Sequence, residues 1–305
     1  MQLKILAYVT CYQDQESSNR CIQAIKSQSV EVGTIFIVDN SENPLLFNDN
    51  NGALFIHHYP NNIGIGEGLQ KALEWASDQE YDFLWAFDQD SIPNPNCLEI
   101  LLENYHRLTQ ENRYKIGILA PTSHDIRTNK IIEGAVFSND HFVGVKHNAD
   151  LDFYECDSPI TSGSLISLAA AQSIAPPSAN LFIDGIDLDY GLRLKQKGFR
   201  NLIVTKAVMY HNFGSPLKVK FLNKYRYLQQ YSALRHYYIC RNHTYLETRY
   251  SQRFYRFTSF MRRIKYLLSS LFWVVIYDPE SKYIKIWGCL LGTYHGFQGK
   301  LGKTW

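Results

Sequence analysis

Short apolar runs alternate with segments of helical periodicity through the first 120 residues, and this alternation most constrains the fold. The predicted strands are Leu3–Val9, Thr34–Val38, Ala53–His57, Phe83–Phe87 and Ile116–Ala120. The predicted helices between them are Glu16–Gln28, Gly66–Ser77 and Asn96–Leu108. Strands and helices that alternate at this spacing indicate β-α-β units, and therefore an α/β fold with a central, mostly parallel sheet.

The pattern is less regular after residue 130. Short strands are predicted over Ile131–Phe137, Phe142–Val145, Leu165–Leu168, Leu202–Val204 and Ala207–Tyr210. A helix is predicted over Asp184–Lys197, ended by Gly198. The sequence from Phe221 is rich in Arg and Tyr and has helical periodicity through Tyr266, followed by Leu267–Tyr277 and Lys282–Leu291.

The charge of the chain changes sign near residue 214. Residues 1–214 carry 15 Lys and Arg against 26 Asp and Glu, whereas residues 215–305 carry 16 against 3. The change coincides with the break Gly214-Ser215-Pro216, so we predict a domain border there. The first domain would divide into halves of about residues 1–120 and 121–214, and the second would be helical, basic and aromatic.

Composition excludes several classes of protein. With 45% hydrophobic and 20% charged residues, the chain has enough apolar material for a large core and is not disordered. A net charge of only +2 argues against a dedicated nucleic-acid binder. The six cysteines form no CxxC pair, which argues against a zinc site or a disulfide framework.

The sequence predicts a cytoplasmic protein. The N-terminal residues read as a first strand and not as a signal peptide, and the longest apolar run, Leu271–Tyr277, is too short to span a membrane. Residues 221–266 mix aromatic and basic side chains, which suits an interfacial helix on the inner, anionic membrane surface. The alternative is a basic helical cap packed on the first domain, or a surface that forms a homo-oligomer.

Polar residues follow three of the predicted strands: Thr10–Tyr12, Asp39–Ser41 and Asp88–Asp90. In α/β sheets, ligands bind beyond the carboxyl ends of the strands. Each segment alone could be an ordinary turn, but three such strand ends indicate one pocket with polar walls.

The segment Asp88-Gln89-Asp90 places two carboxylates at the mouth of an apolar strand. Such a pair suits a hard divalent cation that bridges phosphates, and the alternative is a turn rich in Asp. His211 follows another short strand and is either a further metal ligand or a structural histidine. The chain has no GxxxxGK[ST] sequence, which argues against a P-loop ATPase or kinase.

Two further segments could contact a nucleotide. Asp39 could accept hydrogen bonds from a base or ribose, or could simply form a turn. The glycine-rich segment Asn61–Gly68 opens a helix, where small residues let the backbone approach a phosphate. The alternative for each of these glycines is close packing within the fold.

Three carboxylates lie within six residues at the start of the helix predicted after Ile183: Asp184, Asp187 and Asp189. An aspartate that caps the helix would explain one of them, but three so close together repel one another. One of the three is therefore a candidate general base for an acceptor hydroxyl.

These pieces, in this order, resemble a family 2 glycosyltransferase with the GT-A fold over about residues 3–214. The matching elements are Thr10–Tyr12, Val38–Ser41, Asn61–Gly64, Asp88–Asp90, Ile183–Asp189 with Arg193 and Gly198, and His211. The resemblance implies that Asp39 contacts the nucleotide base, with Thr10 and Tyr12 lining its pocket. It also implies nucleotide contacts for Asn62, Gly64, Asp88 and Gln89.

The resemblance further implies that Asp88, Asp90 and His211 hold Mg²⁺ or Mn²⁺ on the diphosphate. It makes Asp187 the general base, because this residue stands two before Asp189 and six before Arg193. Many relatives have two adjacent acids here, whereas Ile186 precedes Asp187, so Asp184 and Asp189 stay alternatives. Asp189, Arg193 and Arg241 would contact the acceptor or the diphosphate.

Within the family, residues 182–193 and Arg241-Asn242 are similar to bacterial rhamnosyltransferases of O-antigen and cell-wall polysaccharide assembly. The expected reaction is inverting transfer of L-rhamnose from dTDP-β-L-rhamnose to a glycan or lipid-linked saccharide. The alternatives are a galactofuranosyl- or other hexosyltransferase that uses a UDP-sugar, a nucleotidyltransferase, and a non-catalytic protein of the same fold that binds sugar nucleotides.

Overall fold

The computed structural model describes residues 3–49, 52–110, 114–214, 216–279 and 281–305. Ser215, at the predicted border, lies outside the described residues. The strands are β1 (Ile5–Cys11), β2 (Thr34–Asp39), β3 (Leu54–His58), β4 (Phe83–Asp88), β5 (Ser91–Pro93), β6 (Ile116–Asp125), β7 (Ile131–Ile132), β8 (Ala135–Ser138), β9 (His141–Gly144), β10 (Phe153–Cys156), β11 (Leu165–Ser167), β12 (Arg200–His211), β13 (Pro216–Phe221) and β14 (Lys224–Gln229). The α-helices are α1 (Gln15–Lys26), α2 (Gly64–Asp78), α3 (Cys97–Gln110), α4 (Leu168–Ala171), α5 (Ile186–Gln196), α6 (Ala233–Tyr250), α7 (Arg256–Tyr277) and α8 (Lys282–Gln298).

A single large sheet contains ten of the described strands. Its main order is β10-β12-β6-β11-β4-β1-β2-β3, with β5 paired to β12 and β7 paired to β6. Following the pairings along the sheet, β1, β2, β3, β4, β6 and β12 all run in the same direction. The predicted α/β fold with a central, mostly parallel sheet is therefore confirmed.

Helices cover both faces of this sheet because the central strands are apolar on both sides. All seven residues of β1 are buried. Alternate residues Ile5, Ala7 and Val9 join one core cluster with side chains of α1 and α3. On the opposite face, Gly68 of α2 lies so close to the hydroxyl of Tyr8 that a Cβ atom there would be 2.7 Å from it. That approach supports the close-packing interpretation of this glycine.

The chain divides into two compact units. Unit 1 contains the large sheet and consists of Met1–Val136, Gly144–Ala179 and Ile186–Asn212. Unit 2 consists of Phe137–Val143, Asn180–Gly185 and Phe213–Trp305. Its main elements are the β13–β14 hairpin and helices α6, α7 and α8. None of the helices in the described residues combines the length and apolarity that crossing a membrane would need.

The helical prediction from Phe221 was wrong for its first twelve residues, since helix begins only at Ala233. This stretch completes β13, turns, and returns as β14. Leu222 and Asn223 both have positive φ, of 45° and 61°, as a two-residue hairpin turn requires. The sequence that follows alternates Lys-Tyr-Arg-Tyr with a period of two, which is the strand pattern. The helical prediction is confirmed only from Ala233.

Three other boundaries differ from the prediction. The strands expected at 202–204 and 207–210 form one strand, β12, with an irregularity between Val204 and Val208. The run predicted as one strand over 131–137 is divided between β7 and β8. Helix α5 begins at Ile186 because Asp184 and Gly185 have positive φ. The short strands β5 and β10 were not predicted.

Candidate active site

The carboxyl ends of the same-direction strands lie along one edge of the sheet, and this edge carries the polar residues. In the register of the sheet, Cys11 is opposite Asp39, and Thr10 is opposite Asp88. At the other side of the edge, His211 is paired with Asp125 of β6. The fold thus brings to one edge residues that are far apart in the chain, such as Thr10 and His211.

Asp88, Asp90 and His211 form a compact group at this edge. Each offers one ligand atom, and these atoms all lie within 4.8 Å of one another. The two aspartates are partly exposed and the imidazole is buried. Two carboxylates and one imidazole are suitable ligands for a divalent cation such as Mn²⁺, so the predicted set fits such an ion.

Two buried serines, Ser91 and Ser162, form hydrogen bonds with residues of this group. The hydroxyl of Ser91 lies 2.7 Å from Nδ1 of His211 and 2.6 Å from the hydroxyl of Ser162. Ser162 in turn accepts a hydrogen bond of 3.0 Å from the backbone N–H of Asp88. This chain of contacts fixes the ring of His211 relative to the start of the Asp88–Asp90 segment. Neither serine was identified from the sequence, because an isolated serine carries no recognisable signal.

We expect Ser91→Ala to weaken binding of Mn²⁺ about 10- to 100-fold, because hydrogen-bond partners orient the ring of a ligating histidine. The measurement is a calorimetric titration of the protein with Mn²⁺. Ser173→Ala is the matched control, since that exposed hydroxyl bonds only to the carbonyl of Ala170. Equal affinities in Ser91→Ala and Ser173→Ala would contradict a supporting role for Ser91.

The middle residue of the Asp88–Asp90 segment connects two loops. The side-chain amide of Gln89 accepts from the backbone N–H of Tyr12 at 2.6 Å and donates to its carbonyl at 3.0 Å. It also accepts from the hydroxyl of Ser18 at 3.2 Å. Gln89 therefore ties the end of β1 to the end of β4, and leaves the side chain of Tyr12 about half exposed. The predicted nucleotide contacts of Gln89, Tyr12 and Thr10 stay predictions.

Asp39 holds the loop that follows β2. Its carboxylate is fully buried and accepts from the backbone N–H groups of Ser41 at 3.0 Å and Leu45 at 2.8 Å. The neighbouring Asn40 accepts from the N–H of Ile63 at 2.9 Å and so connects this loop to the start of α2. The predicted contact between Asp39 and a base stays a prediction, because a ligand would have to reach a side chain that this loop covers.

The glycine-rich segment turns sharply into α2. Asn62 has a positive φ of 47° and accepts with its side chain from the N–H of Gly64, at 2.9 Å. Gly64 itself has φ of 81°. A Cβ atom at Gly66 would be 2.6 Å from the carbonyl of Ser178, so this glycine, like Gly68, is required for packing. The nucleotide contacts predicted for Asn62 and Gly64 stay predictions.

Two buried cysteines, Cys11 and Cys21, lie near this edge. Burial raises the pKa of Cys11 to about 12. Burial also raises the pKa of Cys21 well above its usual value, and its thiol lies 3.6 Å from the carbonyl of Asp88 as a weak donor. In the part of the chain that the structure describes, neither thiol belongs to the group formed by Asp88, Asp90 and His211.

The acids of α5 have different surroundings. Asp189 is buried and pairs with Arg193 at 2.9 Å. Arg193 also donates to the carbonyls of Ala175 at 2.6 Å and Pro176 at 3.0 Å. Asp187 lies in the first turn, is partly exposed, and accepts from the N–H of Leu188 at 2.9 Å. The pairing favours a structural role for Asp189 and Arg193, whose substrate contacts stay predictions.

Arg241 is fully buried within unit 2. Its guanidinium donates to Asn242, to Gly302 and Thr304 near the C-terminus, and to the carbonyls of Asn180 and Leu181. These five bonds match the five N–H donors of an arginine side chain. The arrangement favours a structural role, and the predicted contact with acceptor or diphosphate stays a prediction.

Asn242 holds the segment that precedes α5. The nitrogen of its side-chain NH₂ lies 2.8–2.9 Å from the carbonyl oxygens of Leu181, Ile183 and Asp184, which share its two N–H donors. Asp184 also faces Arg235, with 3.3 Å between carboxylate and guanidinium. Asp184 is therefore engaged in an ion pair within unit 2, which makes it a weaker candidate for the general base.

A cavity of about 370 Å³ adjoins the metal-ligand group in unit 1. It is lined by Asp90, Gln89, Arg20, Arg127 and Asn212, among others. Arg127 lies in a turn held by Asp125, whose carboxylate accepts from the N–H of Arg127 at 2.9 Å. Neither arginine was identified from the sequence, since Arg20 lies on an ordinary amphipathic helix and Arg127 in a polar loop.

The chain is similar to known glycosyltransferases. Residues 7–111 match the family model described as Glycosyl transferase family 2. A search of curated protein sequences finds no match.

Two solved structures share the fold. A crystal structure of GalNAc-T7 with UDP, GalNAc and Mn²⁺ superimposes with a TM-score of 0.54 at 12% identity. That alignment covers 68% of this chain but only 44% of GalNAc-T7. The structure of S. aureus TarS 1-349 gives a TM-score of 0.52 at 13% identity, covering 98% of this chain and 92% of that one. The two structures show the fold of this chain, and the family match shows that residues 7–111 are similar to family 2 glycosyltransferases.

Proposed function

We propose that this protein is an inverting, metal-dependent glycosyltransferase that transfers L-rhamnose from dTDP-β-L-rhamnose. The acceptor would be a hydroxyl of a glycan or a lipid-linked saccharide in bacterial polysaccharide assembly. The observation that carries the proposal is the group of Asp88, Asp90 and His211 at the carboxyl edge of the sheet. That edge is where this class of fold binds its ligands.

Asp88, Asp90 and His211 would hold Mg²⁺ or Mn²⁺. The cation would supply Lewis-acid stabilisation of the charge that develops on the departing diphosphate. Arg20 and Arg127 line the adjoining cavity and would add positive charge on the same side, although Arg20 also pairs with Glu16. The support from Ser91 keeps the imidazole in place before a ligand arrives, so little reorganisation is needed.

Asp187 would accept the proton of the acceptor hydroxyl as its oxygen attacks the anomeric carbon. The new C–O bond forms on the face opposite the nucleotide, and the bond between the anomeric carbon and the phosphate oxygen breaks. The electron pair of that bond leaves with the nucleoside diphosphate. A single displacement inverts the anomeric configuration, so a β-L-rhamnosyl donor yields an α-L-rhamnoside.

Rhamnose as the donor sugar rests on the resemblance of residues 182–193 and Arg241-Asn242 to bacterial rhamnosyltransferases. Within unit 2, the side chain of Asn242 contacts the carbonyls of Ile183 and Asp184, at the start of the first of these segments. The second candidate donor is a UDP-sugar, such as UDP-galactofuranose or a UDP-hexose. The crystal structure of GalNAc-T7 with UDP and Mn²⁺ favours this alternative, because it shares the fold.

We expect dTDP with Mn²⁺ to raise the unfolding temperature of the protein more than UDP or GDP at equal concentration. A ligand present at 100 times its Kd stabilises the folded state by about 2.7 kcal/mol. The measurement is a thermal-shift series with each nucleotide, with and without Mn²⁺. Transfer is then tested with the sugar nucleotide that carries the selected base.

The possible outcomes test two separate points: which nucleotide the donor carries, and whether the protein transfers sugar at all. A shift with UDP but not with dTDP would contradict rhamnose and favour the second candidate. No shift with any nucleotide, together with no transfer and no slow hydrolysis of the donor, would contradict the glycosyltransferase proposal. A nucleotide shift without turnover would favour a non-catalytic binding protein.

A further inference from the structure

Helix α7 buries two polar side chains and exposes several large apolar ones. Its buried side chains are Ser259, Arg263 and Val274. Five large apolar side chains are exposed: Phe257, Met261, Leu268, Phe272 and Ile276. These five positions recur at intervals of four or seven residues, so they form one stripe along the helix. Phe257 is 73% exposed and Leu268 is 62% exposed.

Polar contacts explain why α7 keeps this orientation. Arg263 pairs with Glu247 of α6 at 3.2 Å, and both side chains are more than nine-tenths buried. At the start of α7, Thr258 donates to Asp140 at 2.6 Å and Arg262 contacts the same carboxylate at 3.1 Å. Turning the helix over would leave a buried carboxylate without its partner, which is more costly than exposing apolar side chains.

Helix α8 repeats the arrangement. Its exposed stripe consists of Tyr283, Trp287, Leu290 and Tyr294, at intervals of three or four residues. Its inner side contains Lys285, which pairs with Asp278 at 2.8 Å. Three glycines spaced four apart let α8 approach the backbone carbonyls of α6: Gly288, Gly292 and Gly296.

The two helices are neighbours within unit 2. The rings of Phe260 in α7 and Phe297 in α8 lie 4.8 Å apart. At their other ends, the ammonium of Lys282 donates to the carbonyl of Val275 at 2.7 Å. Two adjacent helices therefore each expose an apolar stripe, whereas the solvent-exposed face of a helix usually carries charged and polar side chains.

The two apolar stripes could contact either a second copy of the chain or a lipid surface, and the charge around them distinguishes these partners. Residues 215–305 carry 16 basic and 3 acidic side chains. Arg253, Arg256 and Lys265 are exposed beside the apolar stripe of α7. A second copy that docked through the same two helices would bring the same excess of positive charge to the interface, and the copies would repel each other. Negatively charged lipid headgroups attract it, and Tyr and Trp prefer the boundary between headgroups and acyl chains.

We propose that the outer faces of α7 and α8 bind the surface of an anionic lipid bilayer, lying in its interface without crossing it. This inference concerns a partner beyond the donor and acceptor of the transfer reaction and does not depend on that reaction. It also changes the surface expected from the sequence, since the apolar stripes lie in 256–298 and residues 221–229 belong to the β13–β14 hairpin.

The test is co-sedimentation of the full chain with lipid vesicles. We expect binding to vesicles of equal parts phosphatidylglycerol and phosphatidylcholine, and at least tenfold weaker binding to phosphatidylcholine alone. The double variant Phe257→Gln/Trp287→Gln should lose at least tenfold in partition to the anionic vesicles. Arg256→Gln/Lys265→Gln should lose about fivefold per residue on the same vesicles.

Leu46→Gln is the matched control, because Leu46 is more exposed than Phe257 or Trp287 but lies in unit 1. Circular dichroism checks that each variant is folded. Absence of binding to anionic vesicles, or equal binding to both compositions, would overturn the proposal. A dimer in light scattering that Phe257→Gln/Trp287→Gln dissociates, without vesicle binding, would assign the stripes to a second copy and would also overturn it.

Discussion

Asp187→Asn should lower kcat for sugar transfer by about 10²- to 10⁴-fold, while binding of the nucleotide and Mn²⁺ stays unchanged. Asparagine keeps the shape of the side chain and its hydrogen bond to the N–H of Leu188, but it cannot accept the acceptor proton. The measurement is steady-state transfer, together with a nucleotide titration of the same variant. An unchanged Kd with a lowered kcat identifies a group that acts during the reaction.

The neighbouring acids provide the controls for this prediction. Asp189→Asn removes the charged partner of Arg193, so it should lower the free energy of unfolding. The kcat of the folded variant should change little. Asp184→Asn acts on an ion pair with Arg235 in unit 2. If Asp189→Asn or Asp184→Asn abolished turnover while Asp187→Asn retained it, the assignment of the base would move to that residue.

The sequence predicted the sheet well because the signals for it are local. Apolar runs such as Phe83–Phe87 and the polar residues that follow them mark both a buried strand and its ligand-binding end. The group of Asp88, Asp90 and His211 could also be anticipated, since strands that run in the same direction bring their ends to one edge. The contacts of Ser91 and Ser162 with this group could not be predicted from local signals, because these two serines are 71 residues apart in the chain.

Charge was harder to interpret than apolar periodicity. Arg241 was predicted to contact the acceptor or the diphosphate. Its side chain is instead fully buried and donates to the backbone carbonyls of residues 180, 181 and 302. Arg263 is buried for a similar reason, because Glu247 is packed against it. Periodicity shows that a helix has two different faces. Which face points inward depends on partners elsewhere in the chain, and those partners were not predictable from the helix itself.

The second large effect is expected from the metal ligands. Asp88→Asn and Asp90→Asn should each lower kcat/KM by on the order of 10³-fold, because Lewis-acid stabilisation of a leaving group contributes several kcal/mol. Both should also weaken binding of Mn²⁺ measured without nucleotide. The N–H of Asp88 still bonds to Ser162 in the first variant, so the backbone of the site is retained.

The activity of Asp88→Asn and Asp90→Asn at different Mn²⁺ concentrations distinguishes loss of a metal ligand from misfolding of the variant. Excess Mn²⁺ should restore part of the activity of Asp88→Asn, since a weakened site fills at higher concentration, but it cannot restore Asp187→Asn, which lacks the base. Asp150→Asn, an exposed acid outside the site, should behave like the unchanged protein. If chelation of divalent ions leaves transfer intact, or if Asp88→Asn binds Mn²⁺ as the unchanged protein does, these residues are not metal ligands. The charge on the diphosphate would then have to be neutralised by Arg20 and Arg127, which line the cavity beside Asp90.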